Sequence, residues 1–306
     1  MTDFPKTRDV PLGWRLTSRI LAELRFMRIV QLSPKGRLSQ YVERIEPHLR
    51  MKWLKWKYMP PWLVYVNPVS TCNNALRDLF ARSVFMVDER QALWLRRILW
   101  KLSRPAAEWQ QRSRVRASKR WADVWNTSSS TSDAINWIEE TRDLLKKSGC
   151  DASAQFVLLA LRDQSYYEYL RASNGPARPG PEASQDTQVR NPNPSAYLPA
   201  CRLLRERGLS VIRVGVNQTP LDASWEGVVS DYACSVRSER GDLLLARGCK
   251  FLITGGSGFW QLTTMFNRPN LSTDNYVPFL GPCRQVRDLT AWQMRRKRGW
   301  VSPNVS

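Results

Sequence analysis

Residues 251–269 read FLITGGSGFWQLTTMFNRP. The apolar start predicts a buried strand, the glycines predict a tight turn, and the spacing of Trp260, Thr264 and Met265 predicts a helix. A strand that turns through glycines into a helix can direct main-chain N–H groups at an anion. The stretch therefore predicts an anion-binding turn at the end of a core strand.

The same alternation of apolar strands and helices extends upstream through the second half of the chain. It predicts strands in 155–161, 209–216, 227–234 and 250–255, with helices in 197–208 and 240–249. Buried strands that alternate with helices indicate a mostly parallel sheet covered on both faces, a Rossmann-like domain. Ligands of such sheets bind beyond the carboxyl ends of the strands, where 162–163, 215–217 and 254–258 fall.

The first third of the chain shows the same alternation of strands and helices on a smaller scale. A strand at Leu63–Val66, a helix within 71–83, a strand at 84–88 and a basic amphipathic helix at 89–102 are predicted. Residues 112–133 are charged and then rich in Ser and Thr, as in a connection between domains. We expect an α/β protein with two Rossmann-like domains, a basic one at 1–133 and a second one at 134–306.

Two further segments give local expectations. The helix that begins near residue 133 should end at Gly149. Residues 172–195 hold five prolines and few groups that could pack, so they are either a mobile lid or a disordered loop.

The chain carries 47 Lys and Arg against 27 Asp and Glu, a net charge of +20. Residues 1–150 hold 28 of the basic and 14 of the acidic side chains. Such a surface attracts nucleic acid, anionic lipid or phosphate-bearing substrates. The basic aromatic segments 51–63 and 292–300 are expected either to contact an anionic membrane peripherally or to be solvated surface that also packs aromatic rings.

Other protein classes are disfavoured by what the sequence lacks. No apolar run is long enough for a transmembrane helix and the N-terminus is not of secretory type, so a cytoplasmic protein, peripheral at most, is expected. Six scattered cysteines without a CxxC pair and a single histidine, His48, argue against a zinc site. Walker, GxSxG, HExxH and GxGxxG motifs are absent, as are nucleic-acid-binding signatures, so no metal, resident cofactor or nucleic-acid partner is expected.

The predicted strand ends carry a set of residues suited to phosphate. An arginine offers two parallel donors to a diphosphate, and glycines allow main-chain N–H groups to approach it. The candidates for catalysis are Arg162, Asp163 and Asp231, and those for binding the diphosphate are Arg213, Gly215, Tyr232, Asp242, Gly255, Gly256, Ser257 and Gly258. Asp242 is expected to hold Arg162 in place. Each residue alone has a structural explanation, such as a surface ion pair or an ordinary turn, so the hypothesis rests on the whole set.

Four stretches, FVLLALRDQSYY (156–167), 191–215, 228–258 and 265–279, resemble a family of bacterial glycosyltransferases with a GT-B-like architecture, associated with surface-polysaccharide synthesis. The similarity covers roughly 156–279, and 66–88 resembles part of that family's N-terminal domain. The plan is distantly similar to fucosyltransferases that use GDP-fucose. The resemblance implies diphosphate-binding roles for Arg162 and Ser257, with Asp242 as the acid on the intervening helix.

The chain departs from the family pattern at three places. Ala160 stands where the family has a histidine, 33–43 lacks the expected Gly-His, and Gly256 replaces a hydroxyl residue. The resemblance implies a metal-independent glycosyltransferase: 134–306 would bind a nucleotide-diphosphate sugar as co-substrate, and 1–133 would present a glycan or lipid-linked acceptor. Asp163 or Asp231 would be the base for the acceptor hydroxyl. The alternative is a catalytically inactive descendant that binds a nucleotide or a polyanion.

Overall fold

The computed structural model describes residues 27–31, 38–53, 62–67, 73–88, 124–125, 127, 137–165, 191–216, 218–275, 289–292, 294–296 and 299–301. The helices described are α1 (Leu38–Trp53), α2 (Asn74–Ala81), α3 (Trp137–Lys147), α4 (Leu198–Glu206), α5 (Glu239–Gly248) and α6 (Trp260–Met265). The strands described are β1 (Met27–Gln31), β2 (Trp62–Asn67), β3 (Phe85–Asp88), β4 (Phe156–Leu161), β5 (Ser210–Arg213), β6 (Val229–Ser230), β7 (Leu252–Gly255), β8 (Asn270–Asn275), β9 (Leu289–Trp292), β10 (Met294–Arg296) and β11 (Gly299–Val301).

These strands form two parallel sheets and a short hairpin. The first sheet has the order β1-β2-β3, and the second has the order β6-β5-β4-β7-β8-β9. Every pairing in the second sheet is parallel. β10 and β11 pair in antiparallel fashion. The expected α/β architecture with two Rossmann-like sheets, the N-terminal one small, is confirmed.

The central strand β4 is buried on both faces. Its six residues are all buried, and successive side chains enter two different core clusters. Leu158 and Ala160 pack with α3, α5 and α6, whereas Val157 and Leu159 pack with α4 and Trp225. This pattern follows from the two-residue period of a strand, and it explains why the sequence of β4 is apolar throughout.

The helices of the second domain begin and end where local chemistry dictates. α3 has Glu139 and Glu140 in its first turn and two lysines in its last turn, as the helix dipole favours. Gly149 follows with φ of +72°, a left-handed conformation that glycine adopts without strain. The predicted helix end at this glycine is confirmed.

A buried arginine, Arg50, joins the first part of the chain to the second. Arg50 of α1 is fully buried and donates from Nε to Oε1 of Glu46 at 2.7 Å. Its Nη2 donates to the carbonyl of Met265 at the end of α6, and its Nη1 donates to the carbonyl of Trp125. Helices α1 and α2 therefore share one core with α3, α5 and α6.

This junction corrects part of the predicted linker. Val124 and Trp125 lie within 112–133, yet both are fully buried, and the guanidinium of Arg50 lies over the Trp125 ring. The Ser/Thr-rich composition of the segment masked this packed pair. The domain boundary at 133–134 stays a prediction.

Three other local expectations have separate outcomes. The strand within 227–234 is only two residues long, because it is the edge strand and the chain turns at Asp231 to meet Arg213. In the proline-rich segment, disorder is wrong for 191–195, where Pro192 is buried and Asn193 caps a 3₁₀ turn. The predicted helix at 89–102 and residues 172–190 lie outside the described part of the chain.

Replacing Arg50 with Met should lower the free energy of unfolding by about 3–5 kcal/mol, because the buried ion pair with Glu46 and the hydrogen bonds to the carbonyls of Trp125 and Met265 would be lost. Denaturant unfolding measures this change. The double variant Arg50→Met/Glu46→Met should regain part of the loss. A single variant within about 1 kcal/mol of the wild type would show that the pair does not hold the junction.

Candidate functional site

The strand order of the second sheet locates a crevice. From β4 the chain winds outward to β5 and β6, and it then returns to pair β7 on the other side of β4. This order, with its reversal between β4 and β7, is that of the doubly wound dinucleotide-binding fold. Ligands of such sheets bind where the winding reverses, beyond the carboxyl ends of the two central strands.

Arg162 and the glycine turn stand at this crevice. Leu161 ends β4 and is in register with Gly255 at the end of β7, and it also forms a bridge with Gly256. Arg162, half-buried, is the next residue after β4. Ser257 is half-buried, Gly258 is exposed, and both follow β7 directly. The structure thus brings together the arginine and the serine that the sequence singled out.

The glycines of the turn have different structural reasons. Gly256 adopts φ of +71°, which favours glycine. A Cβ on Gly255 would lie 2.7 Å from Cγ of Pro192 and 2.9 Å from Oη of Tyr197. Nothing lies within 4 Å of a Cβ placed on Gly258. The returning end of the proline-rich segment therefore packs against the turn, a contact that the sequence gave no sign of.

Two long hydrogen bonds connect residues within the turn. The Ser257 hydroxyl accepts from the N–H of Phe259 at 3.3 Å, and the Thr254 hydroxyl donates to the Ser257 carbonyl at 3.4 Å. Tyr197 and Thr273 share a hydrogen bond of 2.6 Å beneath it. α6 begins just beyond, at Trp260.

Arg213 is committed to a buried cluster. Its side chain is 4% exposed, and Nη1 donates to the carbonyl of Thr219 at 2.8 Å and to Oδ2 of Asp231 at 3.1 Å. Nη2 donates to Oε1 of Gln218 at 3.1 Å and lies 3.6 Å from Oδ2 of Asp163. Two carboxylates thus face one guanidinium, which braces the ends of β4, β5 and β6 against each other.

Asp163 is held by further donors. The N–H groups of Ser165 and Thr219 and the Thr219 hydroxyl all donate to its carboxylate. Burial disfavours the ionised form, yet these hydrogen bonds outweigh it and hold the pKa of Asp163 below its usual range. A carboxylate with a lowered pKa is a weak proton acceptor.

Gly215 serves the same cluster. Its φ of +146° lets the chain turn back after β5, and a Cβ there would lie 2.9 Å from Cδ of Gln218. Gln218 and Thr219 are thereby brought to Arg213. The sequence analysis did not identify Gln218 or Thr219 as partners of Arg213. The acidic residues that follow β4 and β6 were the available signal that this arginine is paired.

Tyr232 and Asp242 form a second cluster, at the start of α5. Asp242 accepts from Nη2 of Arg237 at 2.7 Å and from the Tyr232 hydroxyl at 3.3 Å. The expected contact with Arg162 is wrong, because these two donors are the hydrogen-bond partners of Asp242 in the described part of the chain. Ser238 caps α5 through the N–H of Gly241 and donates its own N–H to Tyr232, which fixes Arg237 beside the acid.

Burial dominates the electrostatics of this cluster. It raises the pKa of Asp242 to about 7, although Arg237 and Tyr232 oppose the shift. Burial, followed by the nearby Asp242 carboxylate, also raises the pKa of Tyr232. Asp242 therefore ionises far less readily than an exposed aspartate.

Comparisons with known proteins support the fold. The structure is similar to that of the E. coli ADP-heptose lps heptosyltransferase II, with a TM-score of 0.51 and 9% identity over 89% of this chain and 92% of that one. It also matches a glycosyl transferase family 9 protein from Veillonella parvula (TM-score 0.48, 10% identity, 87% and 85% covered). A third match is the E. coli heptosyltransferase WaaC with ADP-2-deoxy-2-fluoro heptose (TM-score 0.39, 13% identity, 87% and 92% covered).

The GT-B-like fold is thereby confirmed. None of the three proteins is a fucosyltransferase, so the distant similarity to that group gains no support. No protein-family model matches the chain, and no curated protein matches it either.

The described residues contain neither a candidate membrane span nor a candidate metal site. No helix in these parts of the chain is long and apolar enough to cross a membrane. No group of three or more His, Cys, Asp or Glu side chains in the same parts could hold a metal ion.

Replacing Gly255 with Ala should lower the free energy of unfolding by about 1–3 kcal/mol, because the new methyl group overlaps Pro192 and Tyr197. Gly258→Ala is the matched control in the same turn, and it should change stability by less than about 0.5 kcal/mol. Denaturant unfolding of both variants measures the difference. Equal losses of stability in Gly255→Ala and Gly258→Ala would contradict the packing of 191–197 on the turn.

The stability of the protein should depend on pH through Asp242. Between about pH 4 and 7 the folded state retains a proton that the unfolded chain, with a pKa near 3.9, releases. Rising pH in this window therefore favours unfolding, by on the order of 4 kcal/mol from this group. Asp242→Asn should remove this contribution, which denaturant unfolding across the window measures. A difference between wild type and variant that does not change with pH would refute the shift.

Proposed function

We propose that this chain is a glycosyltransferase that moves a sugar from a nucleotide-diphosphate donor to a glycan or lipid-linked acceptor in surface-polysaccharide synthesis. The proposal rests mainly on the position of Arg162, which follows β4 directly and lies next to the 255–258 turn where the winding reverses between β4 and β7. The similar E. coli protein is named for an ADP-heptose donor, which supports a donor of the same chemical class.

The crevice would act on the leaving group. When the bond between the sugar and the diphosphate breaks, negative charge develops on the diphosphate, and preorganised donors stabilise it. The Arg162 guanidinium, the Ser257 hydroxyl and main-chain N–H groups of 256–258 are the donors that the proposal assigns to this task. Gly258 is exposed and Gly256 has no side chain, so a phosphate oxygen can approach the backbone.

The other predicted site residues take supporting roles in this proposal. Arg213 contacts Asp163, Asp231 and the carbonyl of Thr219, so it positions the turn that carries Arg162 rather than contacting the donor. Tyr232 and Asp242 brace the start of α5 in the same way. In this proposal Arg213, Asp163, Asp231, Tyr232 and Asp242 therefore position neighbouring segments and do not contact the donor.

A second candidate function rests on one specific observation. Asp163 and Asp231 are the expected bases for the acceptor hydroxyl, and both are engaged by the same buried guanidinium. An inverting transfer needs a base unless the substrate assists. This engagement favours a catalytically inactive descendant that still binds a nucleotide diphosphate, or a polyanion, without transferring a sugar.

Three further proposals concern the surroundings of the site. Residues 1–133 would bind the acceptor, 51–63 and 292–300 would contact the membrane, and the protein would lie in the cytoplasm at the inner membrane face. Residues 54–61, 293 and 297–298 lie outside the described part of the chain.

A thermal-shift screen against UDP, GDP, CDP, ADP and their sugars tests donor binding. A ligand at one hundred times its dissociation constant stabilises the folded state by about 2.7 kcal/mol, a shift of a few degrees in Tm. We expect one nucleotide family to give this shift and Arg162→Ala and Ser257→Ala to abolish it.

The matched control is Arg77→Ala, which removes an arginine of α2 outside the crevice and should retain the full shift. No shift with any of the four families, or a full shift in Arg162→Ala, would overturn the donor site. If a nucleotide sugar binds, its turnover distinguishes the two candidate functions. Hydrolysis or transfer of the sugar by the wild type would show a transferase, and binding without turnover would show the inactive descendant.

A further inference from the structure

The described end of the proline-rich segment lies beside the crevice. Asn191 donates from Nδ2 to Oε1 of Gln164 at 3.3 Å, and Gln164 is the second residue after Arg162. Cγ of the next residue, Pro192, lies 2.7 Å from the position that a Cβ on Gly255 would take. Two consecutive residues thus contact the segment that follows β4 and the last residue of β7, the two strands between which the winding reverses.

The rest of this segment, 191–197, is anchored at several points. Asn193 begins a 3₁₀ turn, and its Oδ1 accepts from a main-chain N–H two residues on at 3.1 Å. The prolines on either side of Asn193 restrict the backbone further. Tyr197 is buried, and its hydroxyl shares a hydrogen bond of 2.6 Å with Thr273 of β8. Asn191 is therefore held beside the crevice by a preorganised segment.

The amide of Asn191 has one atom without a partner. The residue is half-buried, but its Oδ1 is fully buried and accepts no hydrogen bond within the described part of the chain. Buried polar side-chain atoms are nearly always hydrogen-bonded, because burial removes the water that would otherwise donate to them. A ligand with a hydrogen-bond donor would satisfy this atom.

Two other buried side-chain oxygens in the described part of the chain also lack a donor, but they have different surroundings. Asp231 Oδ1 belongs to the cluster around Arg213. Gln261 Oε1 belongs to an amide that donates to Glu43 of α1 at 2.7 Å, in the contact with the first part of the chain. Asn191 is the one of the three whose segment contacts both sides of the reversal.

The chemistry of Asn191 Oδ1 restricts what it can bind. An amide oxygen only accepts hydrogen bonds, and the oxygens of an ionised phosphate are also acceptors, so the two repel each other. Arg162, the Ser257 hydroxyl and the main-chain N–H groups of 256–258 are donors and suit a diphosphate. The crevice thus combines donors for a diphosphate with an acceptor that a diphosphate cannot use.

We propose that Asn191 Oδ1 binds a hydroxyl group of the sugar-nucleotide donor, next to its diphosphate. This inference rests on the donor site proposed above. A nucleotide-diphosphate sugar has hydroxyls on both sides of the diphosphate, on the ribose and on the transferred sugar, and each can donate to an amide oxygen. Asn191 would fix the position of the donor in the crevice and discriminate against analogues without this hydroxyl, because they leave the buried acceptor unpaired.

Isothermal titration calorimetry of the wild type and Asn191→Leu tests this contact. The ligands are pyrophosphate, the diphosphates UDP, GDP, CDP and ADP, and the sugar nucleotides UDP-glucose, GDP-mannose, CDP-glucose and ADP-glucose. The variant should bind the preferred sugar nucleotide about five- to tenfold more weakly and pyrophosphate as tightly as the wild type. A ribose contact would weaken binding of the nucleoside diphosphate equally, whereas a contact with the transferred sugar would leave it unchanged.

The same variant separates a binding role from a structural one. Without ligand, the Tm of Asn191→Leu should equal or exceed that of the wild type, because an apolar group replaces an unpaired buried acceptor. Ser195→Ala changes an exposed side chain of the same segment and should alter neither Tm nor affinity. A lower Tm of Asn191→Leu with unchanged affinity for every ligand would show a structural role and overturn the proposal.

Failure of this proposal is distinguishable from failure of the donor site. If Arg162→Ala abolishes nucleotide binding but Asn191→Leu binds every ligand as tightly as the wild type, the donor site stands and the hydroxyl contact is overturned. An equal loss of pyrophosphate binding in Asn191→Leu also overturns it, because pyrophosphate has no sugar hydroxyl. If none of these ligands binds the wild type, both proposals are overturned.

Discussion

The burial of β4 on both faces and both edges is the constraint on which the structure depends. Its six apolar side chains require a helical layer on each face, and its two edges require β5 and β7 as partners. Once these neighbours are in place, the chain must reverse its winding between β4 and β7. The strand ends at this reversal cannot be covered by a crossing connection, so a crevice forms there.

Charge pairing then determines what each part of the sheet can do. At the ends of β5 and β6, Arg213 neutralises Asp231 and contacts Asp163, so these residues stabilise the architecture beside the crevice. Arg162 and the glycine turn follow the two central strands at the reversal between β4 and β7.

Local patterns in the sequence were sufficient to predict β2–β7, α2–α6 and the ends of the central strands, whereas β1, α1 and β8–β11 were not predicted. The apolar run of β4 and the left-handed Gly149 are examples, because burial and φ preference are properties of short segments. Tertiary pairing was not predictable in this way. Asp242 meets Arg237 rather than Arg162, and Trp125 is buried inside a segment with the composition of a linker, because distant elements determine both contacts.

The most direct test of the central claim is hydrogen–deuterium exchange of the main-chain amides with each of the four nucleotide diphosphates. One diphosphate should slow exchange in peptides that cover 158–165 and 251–260, and leave the turns of the amino edge unchanged. Such protection would place the diphosphate at the reversal between β4 and β7. Unchanged exchange at both strand ends with every diphosphate, or protection elsewhere alone, would contradict the account.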